Sequence, residues 1–428
     1  MTPRDDLNSR KLTGMIRDHL YRALRRSQRY TRTDMVYLAK SGGWSAVLRV
    51  ITTILSLVLT LGLANLIAPE TYGQYKYIIS IAAVLSSFTL TGIGPAITQA
   101  VARGFEGTLH EGTRILLLAS SGISLAALTG ACYYWLQGNT ALAASFIIIT
   151  ITAPIIASAS NYKNYLSGKK AFRELALIVS LQKAVVVGAL LSSLFFSQDP
   201  VVLLATYFGT QALTMLCAYA TVTVRYRPHG VVEDGITRFG THLSVLSLLK
   251  KISSQLDKIL IFQHLGAVDL ATYSFAVAPT TELRALESSL TNIAVPKMST
   301  RPYRELRKSL PRKVTLLMGG MAVVVGIYFA FAPYLFSFLF PQYLASVPLS
   351  QVYAFSLVFI PGTFFAKALS VHRRIRTLYI LRAVVSTIRI VFLVPAFFIF
   401  GLWGLVYATV GVSALVFFAQ LGFFLYEK

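Results

Sequence analysis

Apolar stretches long enough to cross a bilayer alternate along this chain with polar breaks, and positive charge collects in every second break. Hydropathy delimits twelve spans, at about 44–66, 77–100, 115–136, 141–160, 175–196, 201–224, 240–262, 270–294, 314–332, 348–366, 378–399 and 402–425. Each approaches the roughly 20 residues that a helix needs to cross about 30 Å of hydrocarbon. The even-numbered breaks hold Arg103 and Arg114, then Lys163, Lys169, Lys170 and Arg173, then Arg225, Arg227 and Arg238. Seven basic residues follow between Lys297 and Lys313, and Arg373, Arg374 and Arg376 close the series. The odd-numbered breaks hold one basic residue, Lys76. Cytoplasmic loops retain Lys and Arg, so the asymmetry predicts a multi-pass protein of the plasma (inner) membrane with both termini cytoplasmic.

The net charge of +23 raises the question of nucleic acid. Its placement in short juxtamembrane loops argues for the anionic lipid surface instead, so membrane lipids are expected partners and nucleic acid is not. The two cysteines, Cys132 and Cys217, both fall inside spans, which leaves no disulfide framework. Residues 1–43 form a basic cytoplasmic segment without the apolar core of a signal peptide. Within it Leu12, Met15, Ile16, Leu20 and Leu24 recur at helical spacing opposite Arg17, Arg22 and Arg25. That pattern fits an amphipathic helix lying on the membrane surface, or equally a disordered basic tail.

The chain also repeats itself weakly. Leu63 to Tyr77 matches Ile261 to Phe275, with Tyr75 over Tyr273; Arg114 lies over Lys313; and the segment from Leu166 lies over that from Leu369. These offsets of 198, 199 and 203 residues occur in the same order. Six spans per repeat is an even number, so both halves enter the bilayer in the same sense. The expected architecture is an all-α integral membrane protein, with twelve transmembrane helices in two parallel six-helix lobes around a central cavity. The lobes are expected at 44–224 and 239–428, joined by a cytoplasmic linker at 225–238.

No phosphate-binding Gly-x-x-x-x-Gly-Lys-Ser/Thr loop, His-Glu-x-x-His motif or nucleophile elbow occurs in the sequence. No cofactor, metal or enzymatic activity is therefore expected. The informative residues are charges inside the spans: Arg49, Lys183, Lys250, Lys251, Lys258, Arg284, Lys367, Arg382 and Arg389, against the acids Asp257, Glu282 and Glu287. Each costs about 2.5–3.5 kcal/mol to insert and normally faces a bundle interior or a wet cavity. Snorkelling accounts for Arg49, Lys367 and Arg382 as readily as function does. On the seventh span Ser247, Lys250, Ser254, Asp257 and Lys258 share one helical face, bordered by Lys251 and Gln255. Ser45, Arg49, Thr52 and Ser56 form a similar stripe on the first span, and Arg382, Ser386 and Arg389 on the eleventh. The expected cationic cavity therefore comprises Arg49, Lys250, Lys251, Lys258, Arg284 and Arg389. Asp257 and Glu282 are candidates for coupling to an ion, or simple partners of Lys258 and Arg284.

Several segments resemble a known family. They are Leu66 to Tyr75, Thr91 to Ala96 leading into Ala102-Arg103-Gly104, Leu256-Asp257-Lys258, Leu265-Gly266 to Tyr273, and Val295-Pro296. In them the chain resembles oligosaccharide flippases of the multidrug/oligosaccharidyl-lipid/polysaccharide exporter superfamily, over about 40–425. The resemblance implies two six-helix lobes, a V-shaped cavity and alternating access. It implies a polyprenyl-diphosphate-linked glycan as substrate, turned from the inner to the outer leaflet for cell-surface polysaccharide. A polysaccharide polymerase or glycosyltransferases would then be partners. A flippase for the peptidoglycan precursor lipid II and a membrane enzyme of polysaccharide assembly are the alternatives.

Overall fold

The computed structural model describes residues 35–90, 92–228, 230–233, 236–299, 301–372 and 374–427. The basic segment up to residue 34, with its amphipathic pattern, lies outside the described residues, as do the side chains of Ser247 and Glu287. Among the described residues the chain is helical throughout, without strands. The first helices are α1 (Met35–Leu66), α2 (Pro69–Leu85), α3 (Ile93–Ala102), α4 (Thr108–Ala119) and α5 (Ser121–Leu136). Next come α6 (Thr140–Ala159), α7 (Asn161–Gly168), α8 (Phe172–Ser193), α9 (Pro200–Tyr226) and α10 (Ile236–His264). The last are α11 (Ala267–Ser299), α12 (Tyr303–Leu339), α13 (Ser346–Ala354), α14 (Thr363–Val371) and α15 (Ile375–Tyr426).

Eight continuous stretches among the described residues are long and apolar enough to cross a membrane, and α2 with α3 makes a ninth, bent by 59°. The final stretch, Arg376–Tyr426, contains two rods. At Gly401 φ is +59° and ψ is −135°, a backbone geometry outside the regions open to residues with a Cβ. Three residues later the chain has turned back on itself. A Cβ built on Gly404 would sit 1.9 Å from the Ala396 carbonyl oxygen, whereas eight residues of straight helix span about 12 Å. The remaining rods, α10 and α11, are long enough but carry Lys250, Lys251, Asp257 and Lys258, and Asp269, Glu282 and Arg284. With them the described rods approach the twelve expected from hydropathy.

Backbone contact of this kind has no rotamer to relieve it. Gly404→Ala is expected to cost about 3 kcal/mol, the upper end for overpacking, measured as a lower melting temperature and yield of purified protein. A variant melting with wild type would show that the hairpin has room to spare.

Rod ends follow local chemistry. Pro69 opens α2 with Glu70 in its first turn, where a missing N–H costs nothing and negative charge meets the helix dipole. Asp199 accepts the Val201 N–H at 2.8 Å ahead of α9, and Asn139 accepts the Leu142 N–H at 3.0 Å ahead of α6. At the opposite, basic end, the segment after α9 docks on the first half. Arg103 meets Glu233 at 2.8 Å, and the Glu233 N–H donates to Thr108 Oγ1 at 3.2 Å.

The cores show how the halves meet. Near the short loops at 67–68, 265–266 and 340–345, one core includes Leu63, Tyr72, Tyr75 and Ile78 from the first half and Ile261, Tyr273, Phe275 and Tyr343 from the second. Toward the basic end the core divides. Ile93, Ile97, Leu109, Tyr165 and Val222 pack within the first half, and Leu306, Leu310, Phe365, Leu369 and Phe424 within the second. Contact between halves there is carried by α10, which lies along α3. Among the described residues the bundle is closed at the short-loop end and its core is divided at the basic end.

Candidate functional site

The structure corrects the sequence reading at Lys76. Because α2 begins at Pro69, Lys76 stands inside a helix and not in a connection. The first external break shrinks to two residues. The Lys76 ammonium lies 5.2 Å from the centre of the Tyr72 ring, a cation–π contact that suits a partly desolvated lysine. It is close enough to Lys183 on α8 and to Lys258 on α10 for each to feel its charge. Lys258 also feels Asp257 and Arg389, and Lys183 feels Glu282 across the interface on α11. Four cations from both halves, Lys76, Lys183, Lys258 and Arg389, thus gather with two carboxylates, Asp257 and Glu282.

In the second half the cations are held by a chain of side chains. The Arg284 guanidinium donates to Ser356 Oγ at 2.7 Å and lies 5.7 Å from the Tyr353 ring centre. Tyr353 meets Tyr273 edge to face at 6.4 Å. The Tyr273 hydroxyl donates to Asp257 Oδ2 at 2.7 Å, and Arg389 Nη2 approaches the same oxygen at 3.6 Å. Asp257 is a candidate for ion coupling or for pairing with Lys258; its ion-pair contact is Arg389, and the Lys258 ammonium donates to Gln255 Oε1 at 2.9 Å. Asp257 and Lys258 are successive residues on a helix and diverge by about 100°. The carboxylate is therefore buried in the second half while the ammonium is left half-buried.

The other expected cavity residues are placed less uniformly. Lys251 Nζ donates to Ser86 Oγ at 3.1 Å and so bridges the halves. Lys250 and Arg49 are exposed, nearer the basic end, and do not join the cluster among the described contacts. On the eleventh-span stripe Ser386 is buried and Arg382 exposed. Among the described residues no three His, Cys, Asp or Glu side chains converge as a metal would require.

Directly above the cluster, toward the short loops, the halves are sealed by polar and aromatic contacts that the sequence reading missed. The Gln263 amide donates to the hydroxyls of Tyr77 and Tyr134, each at 2.6 Å, and these hydroxyls are themselves 2.6 Å apart. Tyr77 stacks on Phe262 at 3.9 Å, and Tyr72 on Phe275 at 4.5 Å. The backbones touch where a Cβ on Gly73 would fall 1.9 Å from the Ala267 carbonyl oxygen. The signal that would have placed Lys76 inside a helix was the helix start itself, Pro69-Glu70 followed by Tyr72, Tyr75 and Ile78 in helical phase.

A bundle of this form is the fold of MOP superfamily transporters. A transporter of that superfamily from Pyrococcus furiosus, described by a binding pocket of reverse polarity, superposes with a TM-score of 0.63 at 15% identity, covering 92% of this chain and 96% of its own. A multidrug resistance MATE family transporter in an inward-facing conformation gives 0.62 at 15% identity, over 86% of this chain and 93% of its own. One in an outward-facing conformation gives 0.58 at 16% identity, over 91% and 94%. Among curated proteins none matches the chain. The profile of the family described as polysaccharide biosynthesis protein matches residues 38–301. The chain belongs to that family, as a multi-pass membrane protein.

Proposed function

We propose that the protein is a secondary flippase, not an enzyme, which carries a polyprenyl-diphosphate-linked oligosaccharide from the inner to the outer leaflet of the plasma membrane by alternating access. The observation that carries this reading is the gathering of Lys76, Lys183, Lys258 and Arg389 between the two halves, against Asp257 and Glu282. Such a surplus of cations is costly in a bilayer and finds its natural counterion in a diphosphate. The two halves are the lobes 44–224 and 239–428, and the basic end is cytoplasmic by the charge of its loops. With that orientation the described state is closed outside and divided toward the cytoplasm, the form that receives a substrate made inside. Lys251 and Arg284 extend the cationic surface toward the cytoplasm, and Lys250 and Arg49 stand at its entrance. A glycosyltransferase series would supply the lipid-linked glycan and a polymerase or ligase would consume it outside.

Reconstitution tests the reading. Proteoliposomes holding the purified protein and a lipid-linked oligosaccharide labelled in the glycan are probed from outside with a glycosidase. The protein is expected to make internal label accessible, at a rate that Lys258→Gln reduces about tenfold, the loss of one charged hydrogen bond. Equal accessibility with and without protein would overturn the proposal.

A further inference from the structure

Asp257 is buried on α10, and its surroundings do not satisfy it. Oδ2 accepts the Tyr273 hydroxyl at 2.7 Å and faces Arg389 Nη2 at 3.6 Å. Oδ1 is also buried and has no hydrogen-bond partner among the described residues. Guanidinium–carboxylate hydrogen bonds are about 2.7–2.9 Å long and commonly bidentate. At 3.6 Å the contact is an attraction without a hydrogen bond. Arg389 is therefore held without being saturated, with its side chain 27% exposed against 6% for that of Asp257. Lys258, the next residue, donates to Gln255 and feels both Asp257 and Arg389. One carboxylate stands between two cations of the interface and is locked to neither.

Phosphate oxygens offer Arg389 a better partner, since the guanidinium fork matches two of them at once. A substrate carrier must also let go, because binding that is strong at every stage slows exit. We infer that Asp257 is an internal competitor for the diphosphate. It holds Arg389 in the empty protein, yields it when the diphosphate binds, and takes it back as the substrate leaves. Asp257 is then a positioning residue that sets affinity and release without touching substrate, and Tyr273 tempers how hard it competes. The inference rests on the diphosphate reading above and deepens it.

The test uses the full-length protein in detergent, titrated with farnesyl diphosphate and, as the uncharged control, farnesol. Asp257→Asn keeps the shape and removes the competing charge. It is expected to bind farnesyl diphosphate about tenfold tighter, within the range measured for single charge pairs. In proteoliposomes its half-saturating concentration and its maximal rate should both fall. Tyr273→Phe strips a hydrogen bond from the carboxylate, which then competes harder, so binding weakens. Asp257→Asn combined with Arg389→Gln should bind no tighter than Arg389→Gln alone, since the competition acts through Arg389. If wild type binds farnesyl diphosphate no better than farnesol, the diphosphate reading falls and the inference with it. If wild type discriminates but Asp257→Asn gains nothing, or its gain survives loss of Arg389, the inference alone is overturned. Should Asp257→Asn fail to fold, unchanged or tighter binding by Tyr273→Phe overturns it.

Discussion

Replacing Lys76 and Lys183 together by glutamine is expected to slow transport about a hundredfold or more while making the protein more stable. Hydrogen bonds to charged groups contribute about 1.5–3 kcal/mol each, and every 1.4 kcal/mol is about tenfold. Two such contacts to a diphosphate therefore account for at least two orders of magnitude. Stability moves the other way. Lys76 repels both Lys183 and Lys258 in a half-buried interface, where Glu282 faces Lys183 and Asp257 faces Lys258. Neutral isosteres remove that repulsion, a trade of activity against stability common at functional sites. The measurement is the initial flipping rate at matched protein density, beside the melting temperature in detergent. Activity lost with a melting temperature that rises or holds supports a substrate role. Activity retained, or lost together with stability, assigns the two lysines to structure.

Much of the fold was legible because the bilayer enforces a simple grammar of apolar lengths and charged breaks. The reversal near Gly401 was visible in the residues, and so was the pairing of Leu63 with Ile261 and of Tyr75 with Tyr273, all four of them buried. The site was legible in its charge and less so in its geometry. Hydropathy starts the second span after the charge at Lys76, so averaging pushed a half-buried lysine into a loop. Helical phase put Asp257 and Lys258 on one broad face, yet one residue of rotation sends the first into the second half and the second toward the interface. The tyrosine seal was invisible because Tyr77, Tyr134 and Gln263 come from three helices. Nothing local marks polar residues that satisfy one another only after the halves meet.

That seal carries the second large effect. Gly73→Ala is expected to drive the protein from the state closed at the short-loop end toward one open there. A Cβ on Gly73 would lie 1.9 Å from the Ala267 carbonyl oxygen, 2.5 Å from its carbon and 2.8 Å from its Cα. All three atoms are backbone at the start of α11, so relief requires moving that helix away from α2. The movement would part Tyr72 from Phe275 and Tyr77 from Phe262, and lengthen the Gln263 hydrogen bonds. A state that competes within a few kcal/mol gains by whatever the closed state loses, and a loss of about 3 kcal/mol shifts the ratio more than a hundredfold. The probe is a cysteine at Ala271, which is fully buried on α11, with Cys132 and Cys217 changed to serine. A bulky, membrane-impermeant maleimide added at the short-loop face should label it faster in Gly73→Ala, and transport should fall. Gly188→Ala places its Cβ in open space on α8 and should leave labelling at the wild-type rate. If folded Gly73→Ala protein is labelled no faster than this control, the contact between α2 and α11 does not hold the short-loop end shut. The closure would then rest on the aromatic pairs and the Gln263 bonds, which tolerate the small displacement that a methyl group demands.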